Sequence, residues 1–326
     1  VMAAGVGRRL AACLLNISEA RSKEVVERVA RAAVYEKQGG RREGITVLNI
    51  FSDHDYNRSV ITIVATIDQI GGAIVSACVQ ACELIDMRRH SGAHPCLGAV
   101  DLVPIYPLGE CVGLEECGQE ARAVAVSLTE RVPGTSVFHF GFADTPQQRS
   151  LVQRRKELGW FRKNPDLRAM QSDVGAMPGK RYGLTGVGAS PYVMNCNVTI
   201  STSAVGVGRQ VAEALRGSSP GGVPGLQVMA LPHEGAVEIA CNVESLLRPP
   251  EGQEGWPSYW IQGRPYCYPP ASLITARVAE LAMQHRVGTL GTALVGFTPE
   301  ECRRLAEHAL AQGVGEYWRE QRKVHM

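Results

Sequence analysis

The order of hydrophobic patterns constrains this fold more than any other feature of the chain, because the same order occurs twice. The first run opens with an apolar stretch, Leu10 to Ile17, that reads as a strand. Helical periodicity follows near Ser22 to Val34, with Val25, Val26, Val29 and Ala33 on one face, and Gly39-Gly40 closes it. Strand patterns come next at Ile45 to Phe51 and Ser59 to Ile67. A second helical stripe, Ile70, Ile74, Ala77, Ala81, Leu84 and Ile85, runs through Asp68 to Asp86. A strand at Val100 to Tyr106, a helix at Leu114 to Val132 and a short strand at Ser136 to Gly141 complete the run.

The second run starts near Tyr192 with a strand to Ser201 and a helix at Val205 to Arg216. Strands at Leu226 to Leu231 and Val237 to Val243, a helix at Ser272 to His285 and a strand at Thr292 to Phe297 follow. The last helix has a start signal in Thr298-Pro299-Glu300-Glu301: a capping threonine, a first-turn proline and a glutamate three residues on. Two βαββαβ orders predict an α+β protein with two subdomains, each an antiparallel or mixed sheet with helices on one face. The connector, about residues 147 to 188, is too long for a turn and reads as a functional loop or a partly helical arm. Residues 248 to 270, with their prolines and aromatic side chains, read as an extended surface insertion.

Charged residues make up 20% of the chain and the formal net charge is +2, so there is no electrostatic reason to expect nucleic acid or an anionic membrane as partner. No apolar run is long enough to span a bilayer. Ten cysteines, most inside apolar patterns, read as reduced core thiols, and with no secretory signal evident the cytoplasm is the expected location.

Several motifs fail on spacing. Gly175 to Arg181 imitates a phosphate loop but is one residue short and has no Ser or Thr after Lys180. Cys78 and Cys82 stand four apart on a helix without a histidine partner, so packing explains them better than a metal does. The segment Met87 to Asp101 is different. It joins a helix end to a strand start, and Gly92, Pro95 and Gly98 make it an irregular loop of the kind that often carries catalytic groups. His90 and His94 are four apart, but the glycine and proline exclude the zinc helix that this spacing suggests, so no metal is expected. A helix C-terminus nearby favours an imidazolium, which suits a proton donor. The structural alternative is a polar loop that caps the helix.

Short motifs in a fixed order then carry a family resemblance. Asn16-Ile-Ser-Glu19-Ala20 resembles the Asn-x-Ser-Glu-Gly opening of formiminotransferases, and Asn57-Arg58-Ser59-Val60 their Asn-Arg-x-Val segment. Leu84 to Met87, Arg89-His90, His94-Pro95, Gly98-Ala99 and Asp101 resemble the family's active-site loop. Asp173-Val-Gly175, Tyr182-Gly183, Thr185, Gly188-Ala189 and Asn195-Cys-Asn197 resemble its folate-binding linker and the start of its second subdomain. Val287-Gly288 through Leu294-Val295-Gly296 resembles the closing strand. The likeness covers about residues 10 to 215 and 271 to 312.

The resemblance implies two ferredoxin-like subdomains, at residues 8–182 and 183–312, with a groove between them and a C-terminal tail at 313–326. It implies transfer of a formimino group from N-formiminoglutamate to N5 of tetrahydrofolate, with His94 as the catalytic residue. The expected folate cradle is Gly175, Ala176, Met177, Pro178, Gly179, Lys180, Arg181, Tyr182 and Gly183, in which Lys180 and Arg181 are candidates for the folate carboxylate. Arg89, His90, Asp101 and Asp173 are expected to support the site. The partners implied are folate and a small amino-acid-derived substrate, with a second copy of the chain as a further candidate. Four departures stand out: Ala93 where the family usually has glutamate, Cys96 where it has arginine, Phe142 for a glutamate, and Ser190-Pro191 for a basic pair. Each lost charged contact costs about 2 to 4 kcal/mol. Two alternatives therefore stay open: a folate-binding or interaction protein without catalysis, and a transferase with a changed amide or amidine substrate.

Overall fold

The computed structural model describes residues 7–321, apart from Lys163. By internal contacts the chain divides into two units, one of residues up to Ser190 together with those from Glu301 onwards, the other Pro191–Glu300.

The first unit begins with the expected βαββαβ order: β1 (Leu10–Ile17), α1 (Lys23–Val34), β2 (Ile45–Asp53), β3 (Arg58–Thr66), α2 (Ile67–Leu84) and β4 (Val100–Leu108). Ser22 stops the extended chain and starts α1, its hydroxyl accepting the Val25 amide at 3.4 Å. Antiparallel pairing sets the order β2-β3-β1-β4, with β1 between β3 and β4. Every residue of β1 and β4 is buried. Ala11, Cys13, Leu15 and Ile17 pack into one core with Val26, Val29 and Ala30 of α1 and Ile70, Ile74 and Ala77 of α2. These four alternate residues point to the face that the helices cover.

The sheet does not end at β4. After α3 (Leu114–Arg131), β5 (Ser136–Gly141), α4 (Leu151–Leu158) and β6 (Val174–Gly175), the strand β7 (Thr185–Ala189) inserts between β4 and β5, parallel to both. A seven-stranded sheet results. The connector is thus partly helical, as one of its two readings held, and its far end is a central strand. The 182/183 boundary therefore falls ahead of a strand that belongs to the first sheet, and the units divide after Ser190.

The second unit repeats the order with β8 (Met194–Ile200), α5 (Val205–Leu215), β9 (Leu226–His233), β10 (Ala236–Val243), α6 (Ala271–Gln284) and β13 (Thr289–Leu294). Its sheet runs β13-β8-β10-β9, the same fourth-first-third-second arrangement as β4-β1-β3-β2. The insertion carries a small hairpin, β11 (Ser258–Ile261) with β12 (Arg264–Cys267), whose Tyr259 hydroxyl donates to Ser245 Oγ at 2.8 Å.

Two further helices follow, α7 (Pro299–Ala311) and α8 (Tyr317–Gln321). The described part of the expected tail, residues 313–321, makes defined contacts with the first unit. Gly315 accepts the Val47 amide at 2.8 Å, Glu316 accepts the Tyr35 hydroxyl at 3.2 Å, and Trp318 is buried in the first unit's core.

Candidate functional site

The loop between α2 and β4 is held from both ends. At its start, Arg181 donates to the Cys82 carbonyl at 2.9 Å and to the Ile85 carbonyl, closing the C-terminus of α2. Toward its end, Asp101 Oδ1 accepts the backbone amides of Leu97 at 2.7 Å and Gly98 at 3.2 Å, while its other oxygen meets Arg58. The segment 181–184 runs alongside: Met87 donates to the Arg181 carbonyl, Ala99 to the Tyr182 carbonyl, and Leu184 to the Leu97 carbonyl. Gly183 has φ +70, and a Cβ there would run into the Leu97 carbonyl oxygen, so this close approach requires glycine.

His94 is half-buried between two aromatic rings, Tyr56 at 5.3 Å and Trp160 at 6.3 Å between centroids. Its Nδ1 lies 2.8 Å from the Pro95 carbonyl oxygen. A carbonyl only accepts, so Nδ1 carries the hydrogen and Nε2 holds the free lone pair of the neutral ring. His90 takes a different role. Its Nδ1 donates to the Ser18 carbonyl at 3.1 Å, and burial holds its pKa below the ordinary histidine value. For this residue burial works against the charge that a helix end would favour. Arg89 is exposed.

Behind the loop lies a cluster of charge. Arg58 reaches Asp101, Asn16 Oδ1 at 3.2 Å and Cys96 Sγ at 3.5 Å. Burial opposes its charge, but Asp101 more than compensates and raises its pKa. Asp101 is 4% exposed; burial would raise its carboxyl, yet Arg58 and Arg155 outweigh that and hold it below the usual carboxylate range. Arg155 comes from α4 and lies 4.2 Å over the Trp160 ring. Burial pushes its pKa down to about 10, against the pull of Asp101. Arg155, Trp160 and Tyr56 escaped the sequence reading. Arg154-Arg155-Lys156 looks like a solvated helix run.

Asp173 and the glycine segment divide between two places. Asp173 accepts the His139 amide and Arg154, each at 2.7 Å, and Gly175 pairs with Ser136 at the sheet edge. Ala176, Met177, Gly179 and Lys180 are exposed, Pro178 is buried, and Arg181, Tyr182 and Gly183 return to the loop that carries His94. One helix, α4, spans the two places, with Arg154 on Asp173 and Arg155 beside Asp101. Arg181 is already engaged by α2 and stacks 4.8 Å over Tyr182.

An imidazole with one fixed nitrogen, a thiol and two guanidiniums against one carboxylate make a site suited to moving protons and stabilising negative charge. Residues 10–190 match a family model described as the formiminotransferase domain, N-terminal subdomain. The chain is similar to a formiminotransferase cyclodeaminase-like protein of Arabidopsis thaliana, 29% identical over 72% of this chain and 82% of that one. It is 29% identical to a glutamate formimidoyltransferase of Streptococcus pyogenes serotype M1, over 65% of this chain and 70% of that one. A formimidoyltransferase-cyclodeaminase of Gallus gallus is 34% identical over 44% of this chain and 25% of its own length.

Proposed function

The chain belongs to the formiminotransferase family, whose model takes in residues 10–190, and on that premise we propose that it moves a formimino group from N-formiminoglutamate to N5 of tetrahydrofolate. The donor carbon is amidine-like. Attack there forms a tetrahedral adduct, and the glutamate amine leaves only when protonated. His94 supports that step. With Nδ1 held by the Pro95 carbonyl at 2.8 Å, Nε2 takes the proton released by the attacking amine and returns it to the departing one. This fixed tautomer carries the reading.

Asp101 acts through the loop and not on the substrate: both of its oxygens are occupied by Leu97, Gly98 and Arg58. Tyr182 and Gly183 bring the proposed folate segment beside the loop, and Lys180, exposed at its turn, is the cation that suits the folate carboxylate. The test is formation of 5-formiminotetrahydrofolate and free glutamate from N-formiminoglutamate and tetrahydrofolate. Turnover supports the transfer. Folate binding without turnover would favour the non-catalytic alternative instead.

A further inference from the structure

Cys96 lies two residues after His94 in the same loop, beside the Arg58 guanidinium. Its sulfur lies 3.5 Å from Arg58 Nη1 and within hydrogen-bonding reach of the His94 side chain. Two guanidiniums stand near it, buried Arg155 and Arg58 with its side chain 10% exposed, and both act on Asp101. A thiolate at Cys96 would face both of them. The core cysteines Cys13, Cys82, Cys117 and Cys241 sit in apolar surroundings, where burial drives their thiols up. At Cys96 burial acts the same way, but Arg58 and His94 outweigh it and hold the thiol below its ordinary value. The residue as a whole is half-buried.

We propose that Cys96 is a nucleophile of the transfer, accepting the formimino group as a thioimidate before it passes to folate. This rests on the transfer reading given above. As Cys96 attacks, its thiol gives its proton to the lone pair of His94 Nε2. The thiolate lone pair forms an S–C bond to the formimino carbon of the amidinium, and the C=N electron pair moves onto the terminal nitrogen. The C=N bond then re-forms, the C–N bond to glutamate breaks, and the amine leaves with the proton from His94. In the second half, N5 bonds to the same carbon and gives its proton to His94 Nε2. The C–S bond breaks and the thiolate returns. No oxidant or reductant enters, and the sum is the direct transfer.

The wild-type protein with N-formiminoglutamate and no folate provides the test. Acid quenching should trap an adduct of about 27 Da, one formimino group in place of a hydrogen, on the peptide that contains Cys96. Glutamate should appear as a burst of about one equivalent, and double-reciprocal plots of the full reaction should be parallel. Cys96→Ala should lose the burst and at least about 10²-fold in kcat while still binding folate. Iodoacetamide should label Cys96 before the other thiols, a readout that needs no turnover. Full transfer without adduct or burst, or with Cys96→Ala undiminished, overturns the thioimidate and leaves the transfer reading standing. Absence of both adduct and transfer overturns the two together.

Discussion

Arg58 and Asp101 face each other with side chains only 10% and 2% exposed, and the Asp101 carboxylate also ties down the Leu97 amide at 2.7 Å. One ion pair therefore sets the position of the His94 loop. Asp101→Asn leaves Arg58 and Arg155 uncompensated. It should cost about 3 to 5 kcal/mol of stability by denaturant titration, far more than the loss of a surface pair.

Acid should weaken the fold in two stages. His90 has a lowered folded pKa because it is buried, so the unfolded chain takes up its proton first. Stability is present above the unfolded value of about 6.5 and falls as the pH drops below it. His139, lowered by the same cause, adds to this stage. Asp101 is also lowered, by Arg58 and Arg155 against its burial, so its contribution is present above the unfolded value of about 3.9 and is lost as the pH falls through the folded one. Urea titrations across this range should show the first stage diminished in His90→Gln. The second should flatten in Asp101→Asn, and an unchanged profile there would remove the pair as its source.

An arginine at position 96 should harm this protein. The new guanidinium would meet Arg58, whose Nη1 is 3.5 Å from the present sulfur, and Arg155, already pushed down to about 10. Cys96→Arg should lose about 3 kcal/mol or more in thermal or chemical melts, the cost of an uncompensated buried charge. Adding Ala93→Glu should not recover it, because Ala93 is exposed and its amide is held by the Asp55 carbonyl.

Gly183→Ala should uncouple the proposed folate segment from the His94 loop. The added methyl would occupy the Leu97 carbonyl, and φ +70 strains any side chain. A loss of about 2 kcal/mol in stability is expected. Tetrahydrofolate should correspondingly raise the melting temperature less than it does for the parent protein.

For His94, kinetics should separate proton transfer from binding. His94→Ala should lower kcat by about 10² to 10⁴-fold, the range for loss of a general acid–base group. The dissociation constant for tetrahydrofolate, measured by titration, should change little. An equal rise in that constant would make the ring a binding group instead.

Strands and helices with regular apolar spacing were legible, β1 and β5 to the residue. The strand β7 was not, and the reason is physical. Gly186 and Gly188 lack side chains because Phe138 and Phe140 occupy that space: a Cβ on either would come within 2.7 Å of the ring facing it. A strand whose task is to make room leaves no hydrophobic alternation to read. The site divides in the same way. His94 lies in the loop and Asp101 at the start of the strand that follows it, seven residues on, so both could be found there. Arg155 in α4 and Trp160 just after it arrive about sixty residues later, from a run whose charge suggests solvent. No local pattern announces that a cation will be buried against a carboxylate from another element.

The docking of Trp318 and Gly315 onto the first unit sets an order on the birth of this protein. Translation runs from the amino end, and domains tend to fold as they emerge. Pro191–Glu300 can close as soon as its own strands clear the ribosome. The unit whose synthesis starts first must wait, with β2 lacking the Gly315 carbonyl and the core lacking an indole, until the final helices emerge. The unit begun before Pro191–Glu300 is thus completed after it, so a nascent chain stalled before residue 318 displays an open flank for chaperones to cover.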